Sequence, residues 1–164
     1  MGKKITFREL PKNVKDIENS AMASLEQPEY AAALFIAALA RYKDSREDSF
    51  AMIDFLKGPA SMSTYEKQFV DDRMSNKKDY LANSFFEGAT PENNYTPTSY
   101  AITFIDSEYP YEEEDYIRLY VRSGGADSPR PIILREKKST GQWFLHDQMI
   151  MSDIRIPANE DPWA

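Results

Sequence analysis

The stretch PEYAAALFIAALARYKD, residues 28–44, constrains the fold more than any other part of the chain. Pro28 suits the first position of a helix, where its missing N–H costs nothing. Glu29 suits the positive end of the helix dipole. The apolar residues do not gather on one side. Tyr30, Leu34, Ala37, Ala38 and Tyr42 do not separate cleanly from Ala31, Phe35 and Leu39. A helix that is apolar nearly all round must be covered nearly all round. It is therefore expected at the centre of the molecule. With 164 residues the chain has the length of one domain, and folding at that size buries roughly 70% of the unfolded surface.

Other helices are expected on either side of it. LPKNVKDIENSAMASLEQ places Val14, Ile17, Ala21 and Leu25 on one inward stripe. SREDSFAMIDFLKGP opens on Ser45, with Asp48 three residues later in the manner of a capping box. It turns Phe50, Ile53 and Leu56 inward and stops at Gly58-Pro59. STYEKQFVDDRM opens on a second such box, Ser63 with Glu66.

From Tyr80 the texture changes. YLANSFFEGATPENNYTPTSY is rich in Asn, Thr and Pro, yet it carries Phe85, Phe86 and Tyr95. A loop with three aromatics is expected to pack down rather than wave in solvent. Strands follow at 99–106, 116–123, 130–138 and 142–148, joined by short turns that include GGADSP and KSTG. The glycines of GGADSP read as turn residues supplying positive φ. A Walker loop or a Gly-x-Gly-x-x-Gly fingerprint would need other spacing and a helix after it. The tail from 150 ends in Trp163, which is expected to dock.

The expected fold class is thus α+β. About four N-terminal helices pack on one face of a C-terminal antiparallel four-stranded meander. The chain divides into a helical part (5–76), a long packed loop (80–98), the sheet (99–149) and the tail (150–164), all in one domain of residues 1–164.

The two turns can be used to sort the strand residues by face. If GGADSP closes a hairpin, Ser123 sits opposite Arg130, Val121 opposite Ile132 and Leu119 opposite Leu134. If KSTG closes the next, Glu136 sits opposite Trp143, Leu134 opposite Leu145 and Ile132 opposite Asp147. Ile117, Leu119, Val121, Ile132, Leu134, Trp143 and Leu145 then share one face. A slip of one residue in either turn would scramble that set. Tyr116, Arg118, Tyr120, Arg122, Ile133, Arg135, Phe144 and His146 share the other.

That second face is aromatic and cationic in a chain of net charge −7. One reading is a solvated face with Arg stacked on Tyr across strands. The other is a contact surface, because Tyr and Arg are enriched at binding hot spots and Arg forks fit carboxylates and phosphates. The acidic run EEED at 112–115 is placed to fold over those arginines.

Several chemistries find no support. The chain has no cysteine and one histidine, which excludes thiolate metal sites, disulfides and poly-His centres within it. Ser128 and Asp127 with His146 lack a nucleophile elbow. His146 and Asp147, adjacent on a strand, point to opposite faces. Neither acidic run has the spacing of a calcium loop. No apolar run reaches the roughly 18 residues of a membrane span. The opening Met-Gly-x-x-x-Thr fits a myristoylation pattern only formally. No catalytic residue, metal or cofactor is assigned, and a cytoplasmic location is expected.

The phrases FFEGATPENNYTP, VRSGGADSPRPIILREK, GQWFL and IRIPANEDPWA resemble an uncharacterised bacterial family classed as a domain of unknown function, found mainly in Gram-positive anaerobes. The resemblance spans about residues 5–164 and implies a cytoplasmic single-domain protein. It implies no activity and no site residue.

Two functions follow as expectations. The first is a non-enzymatic module that holds a protein or peptide partner. The second is a site for an anionic small molecule between the Tyr/Arg face and the 85–97 loop, with catalysis as a further option. The residues expected to carry either are Tyr116, Arg118, Tyr120, Arg122, Asp127, Arg130, Arg135 and His146. Nucleic acid is not expected, since the net charge opposes a phosphate backbone. Nor is a membrane.

Overall fold

Residues 31–39 are all buried, as an all-round apolar helix requires. The computed structural model of the protein describes residues 2–75, 78–106 and 113–164. The buried stretch forms the middle of a helix, Pro28–Arg41, with Pro28 in its first turn. We number it α2. Its neighbours in the chain are α1 (Val14–Glu18), α3 (Arg46–Lys57), α4 (Thr64–Met74) and a single turn, α5 (Tyr80–Asn83). Five strands complete the described fold: β1 (Gly2–Phe7), β2 (Tyr100–Asp106), β3 (Tyr116–Val121), β4 (Arg130–Lys137) and β5 (Gln142–Gln148). They form one antiparallel sheet in the order β1-β2-β3-β4-β5. The fold is α+β.

The caps follow local chemistry. Ser45 accepts a hydrogen bond from the Asp48 N–H at the start of α3. Ser63 and Glu66 close a full capping box on α4. Gly58 ends α3 at φ +62°, a conformation that disfavours a side chain. Replacing Ser63 with Ala is expected to cost about 1 kcal/mol, the usual worth of an N-cap. Chemical denaturation would read this as a lower midpoint at unchanged slope.

The sheet has five strands rather than four. The N-terminal hexapeptide GKKITF pairs along β2, from Gly2 opposite Ile105 to Phe7 opposite Tyr100. Only Ile5 and Phe7 are buried, so its apolar signal is two residues long. The expected helix over 10–27 is also broken. Asn13 caps α1, which ends at Glu18, and a 3₁₀ turn follows at Ala21–Ser24. Ser20 Oγ donates to the Ile17 carbonyl at 2.8 Å and competes with the helix there. Ile17 and Leu25 are buried, but Ala21 is exposed. Trp163 does not dock; it is 93% exposed.

The strand faces separate as expected, through a different register. Leu119 pairs with Ile132 and Val121 with Arg130, two residues from the expected pairing. A shift of two keeps every side chain on its face. Ile5, Phe7, Ile102, Phe104, Leu119, Val121, Ile132, Leu134 and Leu145 are therefore buried together, in contact with α2, which touches β1, β4 and β5. Between β4 and β5 the register holds from Lys137–Gln142 to Leu134–Leu145, then shifts. Ile133 sits opposite Asp147, and His146 is the extra residue of a bulge. Asp147 is consequently exposed, not beside the aliphatic face, and its Oδ1 accepts from the Gln148 N–H.

The aromatic loop packs down as expected. Phe85, Phe86 and Tyr95 are each at most 2% exposed. Asn93 holds the loop: its Oδ1 accepts from the N–H groups of Thr90 and Thr96, and its Nδ2 donates to the Gly88 and Thr96 carbonyls. The loop covers the end of the β3–β4 hairpin. There the two glycines of GGADSP do something other than supply positive φ, since neither adopts it. A Cβ on Gly124 would lie 1.9 Å from the Ala89 carbonyl oxygen, and one on Gly125 would lie 2.1 Å from the Tyr95 hydroxyl. They are glycines because the loop backbone comes that close.

Candidate functional site

The outward face of the sheet carries a three-membered stack at its β5 end. The bulge leaves His146 exposed, with its ring edge-on to Tyr116 at 4.7 Å between centroids. The Arg135 guanidinium lies over the same Tyr116 ring at 5.4 Å. β3 supplies Tyr116, β4 Arg135 and β5 His146, so three neighbouring strands build one cluster. Arg118, opposite Ile133, and Tyr120, opposite Pro131, continue the face along β3. Both are half-buried.

The other expected residues go elsewhere. Arg122 lies beyond the end of β3, beside a depression of about 280 Å³ against residues 84–90. It is the one expected site residue in that depression, which occupies the place foreseen for an anion pocket. Asp127 is turned to Arg155, 2.9 Å away. Arg130 binds the carbonyls of Ser128, Ser152 and Asp153. These contacts clamp the 150–155 segment to the hairpin. Of the acidic run at 112–115, Glu112 lies outside the described residues. Asp115 pairs with Lys138 at 3.7 Å rather than with an arginine of the face.

A second feature adjoins the stack. Between α4 and β5 runs a groove of about 360 Å³. Tyr65 and Met149 stand at it, 75% and 64% exposed. Phe69, Met62 and Val70 line it on the helix side, with Phe35 and Ile53 reaching it from the core. The Arg73 guanidinium covers Phe69 at 5.0 Å. This groove has a partial signal in the sequence. Tyr65, Phe69 and Arg73 recur every four residues and so share a helix face. Its other wall depends on the bulge in β5, which no residue pattern announces.

Beside the groove, below the Gly58–Pro59 turn, is a hollow of about 440 Å³ lined by Arg135, Lys137, Lys138 and Phe144. Lys57, Leu145 and His146 border both. Lys57 is 8% exposed at its side chain and donates to Glu66 at 2.5 Å. Burial raises the pKa of the Glu66 carboxyl, but hydrogen bonds from Lys57 and the Ser63 backbone outweigh this and hold it below the usual range. The pair thus joins the C-terminus of α3 to the N-terminus of α4.

His146 packs T-shaped against Tyr116, and Asp127 pairs with Arg155 at the surface. Among the described residues no group of three or more His, Asp or Glu side chains could hold a metal ion. No described helix is long and apolar enough to cross a membrane.

A family model described as a domain of unknown function (DUF6935) matches residues 9–158. No curated protein and no solved structure matches the chain.

Proposed function

The chain belongs to the DUF6935 family, whose description states no activity, and we propose that it is a non-enzymatic binding module working through the outward sheet face. The observation that carries this reading is the Tyr116–Arg135–His146 stack, which three neighbouring strands bring together. A guanidinium held over a tyrosine ring is pre-organised, so less side-chain entropy is lost when it meets a partner. Cationic and aromatic groups together suit an acidic protein or peptide segment. We place the module in the bacterial cytoplasm; a chain without cysteine suits a reducing compartment.

The test is capture of a native partner by the intact chain and by Arg135→Ala/His146→Ala, both exposed members of the stack. The double variant is expected to lose the partner while its melting temperature stays within about 2 °C of the parent, since surface substitutions change stability little. A fall of several degrees, with no partner recovered by either protein, would make those side chains structural and end the reading.

A further inference from the structure

We propose that the groove between α4 and β5, together with the hollow that meets it at Lys57, Leu145 and His146, binds a small amphiphilic anion: an apolar chain ending in a carboxylate. The site shares Arg135 and His146 with the partner-binding stack, while its apolar groove rests on separate observations.

The two compartments have complementary chemistry. The groove is walled by Met62, Phe69, Val70 and Leu145 and edged by Tyr65 and Met149. Its volume of about 360 Å³ falls within the roughly 300–1,000 Å³ usual for small-ligand sites. The hollow is cationic. Lys138 lies 2.8 Å from Glu136 and 3.7 Å from Asp115, so it accounts for both carboxylates there. Arg135 and Lys137 have no carboxylate partner among the described residues. The Lys57 ammonium sits at the junction. It has three N–H donors, and one is given to Glu66.

The occupant is a small molecule rather than a peptide strand because the backbone beside the groove is already bonded. Gln148 N–H donates to Asp147 Oδ1, Met149 N–H to the Pro131 carbonyl, and Ile150 N–H to Gln148 Oε1. A peptide laid there would find these donors taken, and burying its own amides unpaired is costly. An alkyl chain asks for no such partners.

Isothermal titration of the intact chain with decanoate, decanol and acetate tests the assignment. Decanoate is expected to bind saturably at one site, at least tenfold more tightly than either of the others. Phe69→Ala is expected to weaken decanoate about tenfold by opening the groove wall. Arg135→Ala is expected to weaken decanoate about fivefold and leave decanol unchanged. Both side chains are at least partly exposed, and a melting curve for each variant confirms folding. Absence of saturable decanoate binding overturns the proposal. So does equal binding of decanoate and decanol, or displacement of decanoate by a short acidic peptide at lower concentration. Phe69→Ala should leave capture of a protein partner intact, so failure here and failure of the face as a partner surface are separable.

Discussion

Gly124→Ala is expected to lower the thermal midpoint by about 6–12 °C. The added Cβ would sit 1.9 Å from the Ala89 carbonyl oxygen and 3.0 Å from its carbon. Both are backbone atoms, so no rotamer change relieves the clash. The hairpin end and the aromatic loop must move apart. Two contacts hold them together: the Gly124 N–H donated to the Ser84 carbonyl at 2.8 Å, and the Ser123 hydroxyl bonded to that of Ser84 at 2.9 Å. Overpacking of this kind costs roughly 3 kcal/mol. In a domain of this size each kcal/mol is worth about 2–4 °C. Gly141→Ala is the control. Gly141 has φ +75° but nothing within 4 Å of an added Cβ, so it reports conformational strain alone, about 1–2 kcal/mol. If the two variants melt together, close approach is not what selects Gly124.

Stability is expected to fall above pH 10, and Tyr95→Phe is expected to remove most of that fall. Tyr95 is 1% exposed. Its hydroxyl donates to the Arg155 carbonyl, and its ring stacks on Tyr80 at 5.4 Å and 17°. Burial pushes its pKa up to about 12, against the opposing pull of Arg155. An unfolded tyrosine titrates near 10. Below that pH both states keep the proton, and the contribution is complete. Between the two pKa values the unfolded chain ionises first, so stability drops by about 1.4 kcal/mol per pH unit. The total is on the order of 2–3 kcal/mol. Tyr42 and Tyr80 are also raised, chiefly by burial, and supply the slope that remains in the variant. At neutral pH, Tyr95→Phe leaves the Arg155 carbonyl without its donor, at a cost of about 1–2 kcal/mol. Urea midpoints from pH 7 to 11.5 decide it. A parent curve flat above pH 10, or an identical slope in the variant, refutes the assignment.

These two effects concern contacts that no local pattern reveals. Ala89 and Tyr95 precede the glycines by about thirty residues in the chain, and a hairpin read by itself offers turn geometry as the reason for Gly-Gly. What was legible depended on periodicity. Helix α2 could be placed at the centre because its apolar residues face every way. The two faces of β3 and β4 could be sorted although their register was off, because an error of two residues is invisible to a period of two. The bulge at His146 is an error of one. It moves Asp147 off the expected face, and it shapes the groove that β5 makes with α4. The stack of Tyr116, Arg135 and His146 was legible as a face but not as a cluster, since the bulge decides where His146 stands. Asp127 and Arg130 belonged to the same stretch of sequence, yet they serve the hairpin and the tail.

The first strand has a consequence for how the chain is made. Gly2 pairs with Ile105, so β1 leaves the ribosome long before its partner exists. Until β2 emerges, an extended segment with Ile5 and Phe7 on one side has open hydrogen-bonding groups, the usual template for unwanted pairing. Lys3 and Lys4 flank those apolar residues. In the finished fold they find carboxylates on separate elements, Lys3 with Glu29 at 3.8 Å and Lys4 with Glu87 at 3.3 Å. Before then they are unneutralised charges of the kind that oppose strand-to-strand association. The same two lysines thus bring charge to the open strand first and fasten it to the fold afterwards.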